Sequence, residues 1–445
     1  MPDNPSAQLE QPPSWSDQDL AQRASRRIAR RLLPYLFLLY VIAFLDRMNV
    51  GAAALEMPHD LGFNNSVIGL GAGMFFIGYF LLEIPGALIV ERWGARRWIA
   101  RIMVSWGIIT VLMAFIHTAR QFYLVRFLVG AAEAGFFPGV IVYLTYWFRY
   151  QDRAKAVAVF YAANPLSYVI GSPVAGLLLG ISWLGMRGWR WLFIMEGIPA
   201  VVFGVITIFY LTDWPHQAHW LPEDERAWIT EQIAREKEAK KRVHSYKVWE
   251  ALRQRDVVLL TLCYFFALSG SYGIAFWLPT IVKRLSGLSD LKVTLLSALP
   301  YVAAFMVQQV NGWHSDRTRE RRWHATLPLF ICAITLTLAV LAASHPALSI
   351  ALFVLVGASF YGFQPCFWAV PTMFLSESAA AASIGLINSV GNLGGFTGPF
   401  VVGYLVTRTH SFSAGLFYLV VSLVAAGLLM LAVGGRRLQS VQIQQ

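Results

Sequence analysis

Charge is what this 445-residue chain is short of. Asp, Glu, Lys and Arg together make up 14% of it, against about 25% in a soluble domain. Hydrophobic residues make up 57%, and the mean hydropathy is +0.53. One core of ordinary size cannot bury that much apolar surface; lipid can. Cysteine is scarce as well. Cys263, Cys332 and Cys366 all fall inside apolar runs without metal-ligand spacing. That pattern excludes a disulfide framework and leaves them as small core residues. There is no nucleotide-binding Gly-rich loop, no metal cluster and no Ser-His-Asp set near the middle of an apolar run. Direct ATP drive, an enzyme, and a cofactor or metal are therefore not expected. A net charge of +11 would suit nucleic acid, but the basic residues sit in short clusters between the apolar runs, which argues against that partner. Residues 1–22 are polar and lead straight into a full-length apolar run, so no cleavable signal is expected.

A helix crossing the hydrocarbon core needs about 20 apolar residues. The runs predict spans near 32–54, 66–90, 98–117, 121–147, 155–180, 190–212, 256–282, 293–312, 324–344, 347–375, 380–407 and 412–434. An all-α membrane protein of twelve spans follows. Of the 36 Lys and Arg, 27 lie in the loops and tails of one side, 7 on the other, and Arg47 and Arg126 lie within spans. The positive-inside rule then puts both termini in the cytoplasm. The longest polar stretch, 213–255, divides the chain into two six-helix bundles, 32–212 and 256–434, with tails 1–31 and 435–445. Within it, LPEDERAWITEQIAREKEAKKR has the acidic start of a charged amphipathic helix. A solvated linker is its plain reading and a regulatory docking site the functional one.

The halves share a motif. After span 2 the chain reads Gly86-Ala-Leu-Ile-Val-Glu91-Arg92-Trp-Gly94-Ala-Arg96-Arg97, and after span 8 Gly312-Trp-His-Ser-Asp316-Arg317. Each sets an acid and an arginine at a helix end beside a small residue, chemistry that suits a charge latch on an inner gate. With this motif the sequence resembles the major facilitator superfamily, whose hallmark is Gly-x-x-x-Asp-Arg-x-Gly-Arg-Arg after helices 2 and 8. Glu91 stands where that pattern has Asp, and the second copy keeps its Gly and Asp-Arg part. The resemblance runs from about residue 28 to 434 and implies the two-bundle fold and a gating role for Glu91, Arg92, Arg96, Arg97, Asp316 and Arg317.

An ionisable group within a span is a functional candidate by default. The candidates are Asp46 and Arg47 in span 1, Glu83 in span 2, Arg126 and Glu133 in span 4, and Glu196 in span 6. Spans 7–12 have none in their middles, so any proton crossing the centre rides on a carboxylate of the N-terminal half. Arg126, Gly130 and Glu133 share one face of span 4. Counting from the span ends puts Arg126 level with Asp46, and Glu133 about 10 Å deeper. We therefore expect Asp46 and Glu133 as proton sites, Arg126 as the partner that alternates between them, and Arg47 as an unpaired cation that grips a substrate carboxylate with two parallel bonds. The competing reading is an ion-pair network that only orients helices 1 and 4. Tyr79, one turn from Glu83, can bond a substrate hydroxyl, while Glu83 suits a structural bond to a neighbouring helix. The C-terminal half offers Tyr361, Gln364, Trp368 and Thr372 in span 10, and Asn388 and Asn392 in span 11. Asn164 precedes Pro165 in span 5, where a kink can free its side chain.

Four stretches narrow the resemblance to the anion:cation symporter family: Phe44-Leu-Asp46-Arg47-Met-Asn49-Val-Gly51, Phe76-Ile-Gly78-Tyr79-Phe-Leu-Leu-Glu83-Ile-Pro85, Val125-Arg126-Phe127-Leu-Val-Gly130-Ala-Ala-Glu133-Ala-Gly135 and Gly188-Trp-Arg-Trp191-Leu-Phe-Ile-Met-Glu196-Gly197. That family carries small organic anions such as tartrate, phthalate, hydroxyphenylacetate and sugar acids, usually with protons. The resemblance implies proton sites at Asp46 and Glu133 and substrate contacts at Arg47, Tyr79, Asn164, Trp368 and Asn388. Phe44 replaces a tyrosine of many sugar-acid carriers, and Asn164 a glutamine of some. A smaller or less hydroxylated acid than a sugar acid is then favoured. The expectation is a monomeric secondary transporter in the inner membrane of a bacterium that imports an organic anion with protons by alternating access. An exporter, an exchanger and a sodium-coupled carrier remain open. A receptor would need a signalling domain, which the polar segments are too short to supply.

Overall fold

A computed structural model of the chain describes residues 15–242, 253–374 and 377–434. The expected tail 435–445, the first 14 residues and part of the linker therefore lie outside the described residues. Six crossings make the first half: α1 (Trp15–Ala53), then, after a short α2 (Met57–Leu61), α3 (Asn65–Trp93), α4 (Ala95–Met113), the pair α5 (Ala119–Glu133) and α6 (Phe136–Trp147), the pair α7 (Tyr150–Tyr161) and α8 (Ala163–Leu179), and α9 (Gly188–Tyr210). After the linker helix α10 (Glu223–Arg242), six more follow. They are α11 (Arg255–Ser286), α12 (Asp290–Thr318), α13 (Arg322–Leu341), α14 (Pro346–Ala369) with a one-turn α15 (Pro371–Phe374), the pair α16 (Glu377–Asn392) and α17 (Gly394–Thr409), and α18 (Phe412–Ala432). Ten of these segments meet strict length and apolarity for a membrane span. The other two crossings are α4, whose first turns carry Arg96, Arg97 and Arg101, and the interrupted α16–α17. Two six-helix bundles, as expected, make up the fold.

Four spans are interrupted, three of them near their middles and the tenth one turn before the end of its described helical stretch. They are the fourth and fifth, at Ala134–Gly135 and Ala162, and the tenth and eleventh, at Val370 and Leu393. The fourth and tenth spans, and the fifth and eleventh, are corresponding segments of the two halves, and interrupted helices in corresponding segments point to a transporter's binding site. At the first break Gly135 takes φ +86°, a left-handed turn that glycine enters without the cost a Cβ imposes.

Polar residues near the chain's ends depart from expectation. The first helix begins at Trp15, not near residue 32. Ala21, Ala24 and Ile28 are buried at helical spacing while Arg27 reaches Glu225 of α10 at 3.0 Å. Hydropathy alone misses such an amphipathic turn. The linker is likewise packed: Glu225 and Ile229 are buried, Arg149 stacks on Trp228, and Glu236 pairs with Arg153. The α10 helix thus docks on the first half at the end of the bundle that carries the chain termini, here called the terminal face.

At the opposite face the halves meet closely. Ser66 N donates to Thr407 Oγ1 at 2.9 Å, and Gly69 and Gly403 let α3 and α17 approach to backbone contact. Within the first half, a Cβ on Gly130 would lie 1.9 Å from the Phe75 carbonyl oxygen. The α3–α5 contact therefore requires glycine there. Gly130→Ala should force the helices apart at a cost of about 1–3 kcal/mol, read as a lower melting temperature of the purified protein in detergent.

Candidate functional site

Asp46 and Arg47 are neighbours on α1, so their side chains leave the helix about 100° apart. Asp46 turns into the first half. It is 2% exposed, and its Oδ2 accepts hydrogen bonds from Trp106 Nε1 and from Thr110 Oγ1 (2.7 Å), which lie one turn apart on α4. Arg47 turns to the centre. Its Nε donates to Glu133 Oε1 at 2.9 Å, its Nη2 to the same oxygen, and its Nη1 to the Tyr272 hydroxyl of the second half at 3.4 Å. The rings of Phe44, Phe75 and Tyr79 stack on the guanidinium at 4.8–5.2 Å, contacts that favour a desolvated cation.

The pairing differs from the one expected. Arg47, not Arg126, holds Glu133, and Arg126 has no ion pair among the described residues. Its Nε is unpartnered and its guanidinium stacks on Phe75 at 4.9 Å. It remains within electrostatic range of Asp46, Glu133 and Arg47. Depth counted along ideal helices could not foresee this, because α5 stops at Glu133. The break at Ala134–Gly135 leaves the carboxylate at a helix end, facing α1.

Arg47 lies between two small cavities. One, of about 50 Å³, is lined by Tyr79, Asn164, Gln364, Asn388 and Asn392, all expected, and by Tyr161, Tyr264, Tyr272 and Tyr361. The other, of about 30 Å³, carries Arg126 and Phe75. Hydrogen bonds from Tyr161 to Gln364 Oε1 and from Tyr361 to Asn164 Oδ1, both 3.2 Å, tie the halves across the larger one. Trp368 does not line it. Its ring packs against Tyr264 at 4.9 Å, so it forms the wall behind a lining residue. Sequence reasoning passed over Tyr161, Tyr264 and Tyr272. A signal existed: tyrosines concentrate at membrane interfaces, and these lie mid-span, where a hydroxyl needs a polar interior. Thr372 is placed in α15, but its side chain is not among those described.

Glu83 has the structural bonds expected of it, and they reach the other half. Asn388 Nδ2 donates to its Oε1 at 2.7 Å and Ser389 Oγ to its Oε2 at 2.9 Å. Asn388 is therefore engaged in a bridge on the terminal side of the cavity. At the terminal face the expected latch pairs are rearranged. Arg96 meets Asp213, beyond the end of α9, through its side chain (3.4 Å) and its backbone N–H (2.8 Å). Asp213 also abuts Gly94, whose φ is +81°. Arg92 and Arg97 are exposed, and the Glu91 side chain lies outside the described ones. In the second copy Asp316 pairs with Arg321, while Arg317 stacks on Trp313. A loop motif names the residues present but not the neighbours that the fold brings to them.

Comparison with known proteins agrees with this architecture. The model of the Major Facilitator Superfamily matches residues 36–399. The chain is 46% identical over 414 residues to a protein of Agrobacterium vitis named "Putative tartrate transporter", covering 93% of this chain and 95% of that one. It is 38% identical over 404 residues to the quinolone resistance transporter of Acinetobacter baumannii, covering 90% and 92%. The crystal structure of a bacterial homologue of the human lysosomal transporter Spinster, inward-facing and unoccupied, superposes with a TM-score of 0.76 at 18% identity, over 91% of this chain and 98% of that one. A membrane-embedded transporter, and not an enzyme, is the class of protein that this fold defines. The chain belongs to the major facilitator superfamily.

Glu83→Ala removes both acceptors of the bridge and leaves Asn388 and Ser389 unpaired, at a cost of about 1–3 kcal/mol to the closed arrangement. Spin labels on the terminal ends of the two halves should then report a longer separation in a larger share of molecules; an unchanged distance distribution would count against the bridge.

Proposed function

We propose that the protein imports a small organic anion together with protons, by alternating access of the two halves around the cavity at Arg47. The observation that carries this reading is the Arg47–Glu133 pair: a cavity-facing guanidinium whose carboxylate partner is 1% exposed. Protonation of Glu133 discharges that pair and frees the guanidinium. A substrate carboxylate can then occupy the vacated donors with two parallel bonds. Proton and anion thus bind together because each satisfies a charge that the other uncovers. Asp46 is the second proton site, and Arg126, without an ion pair of its own among the described residues, is the cation beside both carboxylates. Tyr79, Tyr161, Tyr272 and Tyr361 offer hydroxyls, and Asn164, Gln364 and Asn392 offer amides, to the rest of the substrate. That lining suits a hydroxylated acid of tartrate size, in keeping with the name of the A. vitis relative.

The clustering of basic residues supports cytoplasmic termini, hence an inner face at the terminal end, in the inner membrane of a bacterium. The halves 32–212 and 256–434 act as the moving bodies and 213–255 as their link, within a monomer. The Glu83 bridge and the Arg96–Asp213 and Asp316–Arg321 pairs are the contacts that open and re-form at the inner side. Export is the second reading, favoured by the name of the A. baumannii relative; direction follows the gradients imposed.

The test is uptake of radiolabelled organic acids, tartrate among them, into proteoliposomes. One acid should accumulate only under an inward proton gradient. Glu133→Gln should retain exchange of internal for external substrate and lose gradient-driven accumulation. Arg47→Gln should weaken binding tenfold to a hundredfold, the worth of about 1.5–3 kcal/mol for hydrogen bonds to a charged group. Accumulation under a sodium gradient alone would overturn the proton roles of Asp46 and Glu133.

A further inference from the structure

One buried acid takes no part in the cavity. Glu196 lies two turns into α9 and is 6% exposed, with neither carboxylate oxygen hydrogen-bonded. It lines neither of the two spaces beside Arg47. The Asn49 side chain, 1% exposed, is beside it, with Nδ2 facing the carboxylate but outside full hydrogen-bond geometry. Asn49 is three residues beyond Asp46 on α1, so the two share a face, and Asp46 Oδ1 is unpartnered as well. Four polar atoms on three neighbouring side chains thus lack a full hydrogen bond, in a setting where more than about 90% of such groups are satisfied.

The packing that puts them there is specific. A Cβ on Gly107 would lie 2.7 Å from the Gly197 carbonyl oxygen, and one on Gly197 2.8 Å from that of Gly107. Gly107 follows Trp106, the donor to Asp46, and Gly197 follows Glu196. The close crossing of α4 and α9 therefore presses Glu196 against the corner that holds Asp46. Depth can also be read. Trp189, at the start of α9, bonds to Glu56 and Asp60, both beyond the end of α1. Glu196, seven residues further in, then stands about level with Asn49, one turn nearer the opposite face than Asp46. Among the described residues Glu196 makes no ion pair, and Asp46 is the charged group on the face of α1 turned towards it. A buried acid with no ion pair is costly in a membrane, and packing alone would be served by an apolar side chain.

We infer that Glu196 is a proton relay, the step by which protons from the opposite face, the outer one on the proposed topology, reach Asp46. The inference rests on the proton-symport reading. A proton binds the Glu196 carboxylate, is handed through a water that the Asn49 amide orients to the Asp46 carboxylate, and leaves Glu196 ionised for the next. One proton moves inward and nothing else is consumed. Glu196 is a path and not a coupling site, so its loss slows delivery without changing stoichiometry.

The test uses the full chain in proteoliposomes with radiolabelled tartrate. In Glu196→Gln, the initial rate of proton-driven uptake should fall at least tenfold. The steady-state accumulation ratio and the gradient-free counterflow should stay within twofold of wild type. Asn49→Leu should show the same split, and it reads the path independently should Glu196→Gln fail to fold. A proton-driven rate within twofold of wild type overturns the relay. Loss of counterflow in both variants overturns it in favour of a packing role. Loss of steady-state accumulation with intact counterflow overturns it too, since Glu196 would then be a coupling site itself. A wild type that gains nothing from a proton gradient defeats the symport reading, and the relay with it. That outcome is distinct because it lies in the wild type and not in the variants.

Discussion

A guanidinium in the middle of a membrane-spanning bundle has to be compensated, and much of the first half is arranged to meet that demand for Arg47. Its partner Glu133 stands at the end of a helix that stops one residue short of a left-handed glycine. Three aromatic rings cover its faces. The α3 and α5 helices that carry Phe75, Tyr79 and Glu133 approach so closely that neither Gly78 nor Gly130 could bear a side chain without backbone movement. Buried ion pairs of this kind add little net stability, because desolvation offsets the attraction.

The two halves divide the chemistry. The first supplies the ionisable groups. The second supplies Tyr272, Tyr361, Gln364, Asn388 and Ser389, each bonded to a side chain of the first half. Those bonds close the cavity. Each is a polar contact between the halves, so any rearrangement of the halves must break it. Helix breaks interrupt the fourth, fifth, tenth and eleventh spans, which carry most of these contacts.

Much of this was legible from residue order. Span number and pairing into halves follow from hydropathy and from where Lys and Arg cluster, because lipid sorts residues by simple rules that act on each segment alone. The intramembrane list of Asp46, Arg47, Glu83, Arg126, Glu133 and Glu196 followed in the same way, since each charge is out of place on its own. Five expected lining residues, Tyr79, Asn164, Gln364, Asn388 and Asn392, do meet Arg47 at one cavity.

Which charge meets which was not legible. Arg47 takes the Glu133 partner expected of Arg126 because α5 ends at Glu133, ahead of the left-handed Gly135. Trp368 falls behind Tyr264, and of the latch residues Arg96 finds Asp213 and Asp316 finds Arg321, partners that the motif does not include. The amphipathic start of α1 and the docked α10 escaped a reading tuned to apolar runs. By itself, then, the sequence determined the solvent, the number of crossings and the identity of the costly residues, because those depend on each residue's own transfer free energy. Only the tertiary structure decided the pairings, because a hydrogen bond depends on the placement of two helices to within a fraction of an ångström, and that placement is set by breaks and close contacts far apart in the chain.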